Sequence, residues 1–223
     1  MKKKIITIVL IILVILLAIF AINTIRKFMI IKDLQNKVAE YETKENIYSK
    51  VVSESAEVEK FIKNDVEKIV MKKKDNTVTI IQVIEQHERR LYTIAGEQKI
   101  LHRSKEEKNP MSSKVVSFVD TTTWLELLRD SIVSKIYTEK VDGKDCYVID
   151  SLKNTNAIYS EGTISLKMYL NKETGLAVKV VETIKNENGS TKENITTYNQ
   201  KFDIVTDEDM KEPNIEEFTI QEN

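Results

Sequence analysis

The side chains able to do chemistry are few and scattered along the 223 residues. His87-Glu88 and His102 could act as metal ligands only if adjacent strands aligned them, because a structural zinc site needs four convergent donors. Asp207, Glu208 and Asp209 are contiguous and lack the EF-hand spacing; charge at a helix start explains them as well. Cys146 is the only cysteine, which excludes an intramolecular disulfide and any multi-cysteine metal centre. Its apolar neighbours predict an inert core thiol. Lys72, Lys73 and Lys74 precede a turn and read as a solvated strand end. The five glycines (Gly96, Gly143, Gly162, Gly175 and Gly189) are all far apart. Phosphate-cradling loops need clustered glycines, so both the P-loop and the dinucleotide fingerprint are excluded. No Ser/His/Asp or Cys/His grouping has local support. With 34 basic and 35 acidic groups, nothing pulls the whole chain toward nucleic acid. The expectation is a binding or structural protein, not an enzyme, with no catalytic residue, no metal and no cofactor.

The elements that would position any site begin with an apolar run. After Lys2, Lys3 and Lys4, residues Ile5 to Ile22 contain one polar side chain, Thr7. A helix of that length spans roughly 27 Å, close to the hydrocarbon core of a bilayer. This predicts an uncleaved single-pass anchor; a cleaved signal peptide, with Ile19 and Ala21 before the cut, is the alternative. No cysteine follows the run, so lipidation there is excluded. Three lysines and the terminal amine precede the run while Arg26, Lys27 and Lys32 follow it, so the positive-inside rule favours a cytoplasmic amino tail by a small margin. Residues 33–223 hold 28 basic and 35 acidic groups, a net −7, which suits a body outside the cell membrane. High Lys, Ile, Asn and Glu usage reads as bacterial, so Asn188-Gly-Ser190 and Asn194-Ile-Thr196 are chance sequons.

Behind the anchor (1–23) the spacing predicts a helix over 24–45. Phe28, Ile31, Leu34, Val38 and Tyr41 form one stripe, suited to packing on its own domain or to a tethered coiled-coil dimer. From 46 to 223 the period changes to two. Strands are expected at Ile47–Ser53, Val58–Lys63, Val66–Lys72, Val78–Ile84, Leu91–Ile94 and Lys99–His102. Ser104–Ser113 reads as a loop, and Thr123-Trp-Leu-Glu126 as the capping box of a short helix. Strands Ile132–Val141 and Cys146–Ile149 flank Asp142-Gly143, a hairpin signal. Ile164, Leu166, Met168 and Leu170 alternate with polar residues, and Leu176, Val178, Val180 and Ile184 face them. A last strand covers Thr196 to Ile204, and Asp207–Asn223 reads as loop with one helical turn. The class is α+β: a transmembrane helix, then a curved antiparallel sheet with helices packed on one side.

Three segments carry a family likeness. Met168-Tyr-Leu-Asn-Lys-Glu-Thr-Gly-Leu-Ala-Val-Lys179 resembles the strand–turn–strand of the lipoprotein-localisation (LolA/LolB-like) superfamily. Gly143-Lys-Asp-Cys-Tyr-Val-Ile149 is similar to its preceding strand, and Tyr198–Asp203 with Glu217-Phe218 to its ending. The resemblance covers about Ile47 to Ile220. It implies a half-open barrel whose apolar concave face shelters acyl chains beneath lid helices. The groove candidates are Trp124, Leu128, Ile164, Leu166, Met168, Leu170, Val178 and Val180. The same faces could instead close on each other as an ordinary core. An anchor at Ile5–Ile22 would hold a carrier at one membrane, and the lipidated cysteine of the acceptor relatives is missing, so a shuttle role does not fit. Two readings remain: an anchored module binding a lipid or acylated protein, and a structural or interaction subunit with a closed core and an envelope protein as partner.

Overall fold

A computed structural model describes residues 2–86, 88–105, 114–118, 131–154, 163–185 and 189–222. Helix α1 runs from Lys2 to Glu42 as one element. The first glycine is Gly96 and the first proline Pro110, so nothing breaks the helix between the apolar run and the amphipathic stripe. At 1.5 Å per residue it is roughly 60 Å long. Its two halves differ in what they touch. Side chains from Ile5 to Asn23 are exposed, and Thr24 is the first buried residue. Beyond it Ile31, Leu34 and Val38 are core residues, with Phe28 and Tyr41 packed against them.

Among the described residues, twelve strands form a single sheet. The first six, β1 (Asn46–Val52), β2 (Ala56–Lys63), β3 (Val66–Lys73), β4 (Val78–Glu85), β5 (Glu88–Ala95) and β6 (Gln98–Lys105), make one antiparallel meander. A second meander comprises β7 (Lys135–Val141), β8 (Lys144–Asn154), β9 (Thr163–Asn171), β10 (Ala177–Lys185) and β11 (Thr191–Phe202). The two join where β11 pairs antiparallel with β1, Ile47 opposite Phe202. β12 (Thr219–Glu222) adds to the outer edge of β6 in parallel. The spatial order therefore runs from β12 through β6 to β1, then β11 down to β7. Among the described residues β12 and β7 are the edges, so the curved sheet is unclosed.

Alternation sends Ile47, Ile62, Ile149, Leu170 and Phe202 to one face, where α1 packs. The opposite face carries two further clusters. One is Cys146, Val148, Tyr169, Val178 and Val181; the other is Val83, Tyr92, Leu101 and Phe218. A one-turn helix, α2 (Asp207–Met210), lies on that second face, where Lys68 Nζ donates to the Asp209 carbonyl at 2.7 Å.

Two expectations change. Residues 131–133 are helical and β7 starts only at Lys135; the β-branched Ile132 and Val133 are exposed, so no packing holds them in a strand. The tail has the expected single helical turn, α2, but Ile215–Glu217 forms a 3-10 turn and Thr219–Glu222 strand β12 where loop was expected.

Candidate functional site

The concave face under α1 is filled by the chain itself. Leu34 is 0% exposed and Val38 5%, and they meet Ile47, Ile62, Leu170 and Leu176 in one cluster. Tyr41 packs on Phe202 with ring centroids 4.6 Å apart and the planes tilted by 40°. Polar ties fix the helix along its length: Lys27 Nζ donates to the Ser134 carbonyl at 2.7 Å and Lys37 Nζ to that of Lys172 at 2.7 Å. The β9–β10 turn presses closest. Gly175 has φ +73°, and a Cβ there would lie 2.6 Å from the Leu34 carbonyl oxygen. Only glycine meets both demands. A small crevice of about 240 Å³ remains beside Tyr41, Ala177, Val178, Tyr198 and Phe202.

Beyond the end of α1 the same face mixes polar and apolar rows. Ser49, Lys60, Ile69, Gln82, Leu91 and His102 stand in one register row. Lys60 is ion-paired with Glu67 at 3.1 Å, both side chains largely buried. The next row holds Val51, Val58, Met71, Ile80, Thr93 and Ile100, with Met71 39% exposed. A second crevice, of about 590 Å³, opens where α1 leaves the sheet, between Ile22, Ile25, Met29 and Ile30 with Arg26 and Asp33 on the helix side and Thr138 and Tyr147 on the other.

On the opposite face the tail is fastened by charge. Arg90 is ion-paired with Glu85, Glu88 and Glu212 at 2.8–2.9 Å. Burial disfavours its charge, but the hydrogen bonds to Glu85 and Glu212 outweigh this and hold its pKa above the ordinary value. Tyr92 donates to the same Glu212 carboxylate, and burial plus that bond raise its pKa. Phe218 sits edge-on to Tyr92 at 5.1 Å.

The expected site residues are dispersed. Trp124 and Leu128 lie outside the described residues, as do the side chain of Ile164 and all of His87. Leu166 and Val180 are buried, Leu170 is fully so under α1, and Met168 packs on that cluster half-buried. Val178 sits in the cluster of the opposite face, because a bulge between Ala177 and Lys179 shifts the register. Cys146 is fully buried and its thiol pKa is pushed up by burial. Asp209 closes a capping box with Thr206 at the start of α2. Among the described residues, no group of three or more His, Cys, Asp or Glu could hold a metal. The crevice at Ile22–Ile30 was not foreseen; the signal for it is Ile22, Ile25 and Met29 continuing an apolar face past the end of the run.

No family model matches the chain, and no curated protein does. Solved structures do align with it. An uncharacterized conserved protein from Thermus thermophilus aligns over 86% of this chain and 98% of its own, at TM-score 0.49 and 10% identity. MucB in the Pseudomonas aeruginosa MucA/MucB complex aligns over 80% of this chain, at TM-score 0.33 and 12% identity. MucB crystallised alone gives 83%, 0.36 and 13%. This chain spans about three-fifths of those MucB chains, 59% and 63%.

Proposed function

We propose that this chain is a non-enzymatic, single-pass protein of the bacterial cell membrane. Its sheet domain stands outside the cytoplasm and binds a protein partner of the envelope. The filled concave face carries this reading. With Leu34 fully buried and Gly175 pressed on the helix backbone, α1 acts as the centre of the core rather than as a lid. Leu170 is buried in the cluster built on α1, so it could line a groove only if the helix moved away, and Leu166 and Val180 are buried as well. What remains for recognition is surface, and the half-exposed row from Val58 through Met71 and Ile80 to Ile100 is the part of that face beyond α1. The orientation is supported by Lys2, Lys3, Lys4 and the terminal amine ahead of the apolar run, which outnumber Arg26, Lys27 and Lys32 behind it by one.

The apolar crevice at Ile22–Ile30 favours a second reading, in which the module takes a lipid or an acylated protein. One experiment separates the two. A photocrosslinker at Met71 in membranes of the native host should trap one defined protein in the first reading. Adducts with lipid alone would sink it and favour the second, as would co-purification of a stoichiometric lipid in native mass spectrometry.

A further inference from the structure

The helix that crosses the membrane continues into the body without a flexible joint. α1 is unbroken from Lys2 to Glu42, and burial begins at Thr24, two residues past Ile22. A hydrocarbon core of about 30 Å takes roughly 20 residues of helix, so counting from Ile5 it ends near Thr24. The headgroup layer adds about 5–8 Å, or some five residues more, reaching about Met29. Within that layer Ile25 and Met29 are 58% and 64% exposed. The Lys27–Ser134 hydrogen bond holds the segment 131–134 at the same height. Two residues of that segment, Ile132 and Val133, are 46% and 62% exposed. The crevice beginning at Ile22 opens at this level too.

We infer that the folded body rests directly on the bilayer surface through a patch built of Ile25 and Met29 from α1 and Ile132 and Val133 from the segment clamped beside it. The inference rests on the anchor reading above. Its occupant is the lipid surface, because Ile25 and Met29 carry the exposed apolar side of the helix on from Ile22, and Arg26 beside them puts a cation at headgroup height, where a long basic side chain can snorkel. Apolar side chains at this depth sit in the acyl–headgroup boundary, as in interfacial amphipathic helices. The body is then fixed in height and tilt instead of swinging on a tether.

Depth measurements test it. Cys146 is fully buried, so a nitroxide added to the folded full-length chain reports only an introduced cysteine. Leu13→Cys, Met29→Cys, Val133→Cys and Lys201→Cys are each labelled in vesicles of phosphatidylcholine and phosphatidylglycerol. Collisions with oxygen and with a water-soluble nickel chelate are then compared. Leu13 marks the bilayer centre. Lys201 adjoins Phe202, which packs on Tyr41, and nineteen residues of helix place Tyr41 roughly 28 Å beyond Ile22. The expected result is several-fold weaker nickel collision at positions 29 and 133 than at 201, with oxygen collision between the values at 13 and 201. Positions 29 and 133 as open to nickel as 201, with 13 still deep, would overturn the inference while leaving the anchor intact, and would give the patch to a protein. A water-exposed position 13 would remove the anchor reading, and the docking with it.

Discussion

At the scale of single residues, two glycines separate backbone conformation from packing. Gly143 and Gly175 have φ of +79° and +73°, so an L-residue is strained at either. A Cβ on Gly143 meets nothing within 4 Å, whereas one on Gly175 lies 2.6 Å from the Leu34 oxygen and 2.8 Å from Val38 Cγ2. Gly143→Ala is therefore expected to cost about 1–2 kcal/mol, the left-handed penalty alone. Gly175→Ala should cost clearly more, because helix backbone must move; equal shifts in the two urea midpoints would contradict the close approach. Leu34→Ala, which empties the centre of the same contact, should lose about 2–5 kcal/mol. The importance of Leu34 was legible in the stripe spacing. The role of Gly175 was not, since a Thr-Gly turn signals only a bend and says nothing of what the bend presses against. Val178 shows the opposite limit: alternation puts it on the same face as Val180, and the bulge that reverses it carries no residue signature in the sequence.

At the scale of elements, period-two alternation located the strands because each buries one face, and the Asp142-Gly143 hairpin followed from two residues that both adopt positive φ. Strand β12 escaped because Thr219–Glu222 is short and polar, and its pairing is decided far away, where Phe218 reaches Tyr92 and Glu212 reaches Arg90. That dependence makes the tail a separable latch. Phe218→Ala should remove about 3 kcal/mol of local packing and expose sites after Thr206 to protease while β1–β11 stay intact. Digestion that cuts the whole sheet at the same rate would count against a latch. Acid acts on the same segment. Hydrogen bonds from the Thr206 hydroxyl and backbone hold the Asp209 carboxyl below its ordinary value. The cap's contribution is thus fully present above the unfolded carboxylate value of about 3.9 and is lost as pH falls through the lower folded value. Amide exchange in 207–210 should rise on acidification below that range before exchange in the sheet does.

At the scale of the whole molecule, one helix does two jobs with almost no overlap. Residues 5–23 stand exposed, and residues 24–41 supply the centre of the body's core. The sequence shows both signals, an apolar run and an amphipathic stripe, but their fusion into one rigid rod is a consequence of what is missing between them, any glycine or proline. Removal of residues 1–22 therefore takes away none of the buried side chains among the described residues, and the remaining chain should keep its thermal midpoint and cooperativity in calorimetry. Removal of 1–42 deletes Ile31, Leu34 and Val38 together, a loss of several large core residues at roughly 2–5 kcal/mol each, comparable to the whole stability of a domain. That chain should show no cooperative transition and should bind hydrophobic dye. If the sheet from residue 46 onward melted cooperatively at an unchanged temperature, α1 would be a dispensable cover after all, the concave face would be free to open, and a ligand groove would become the better account of what the protein does.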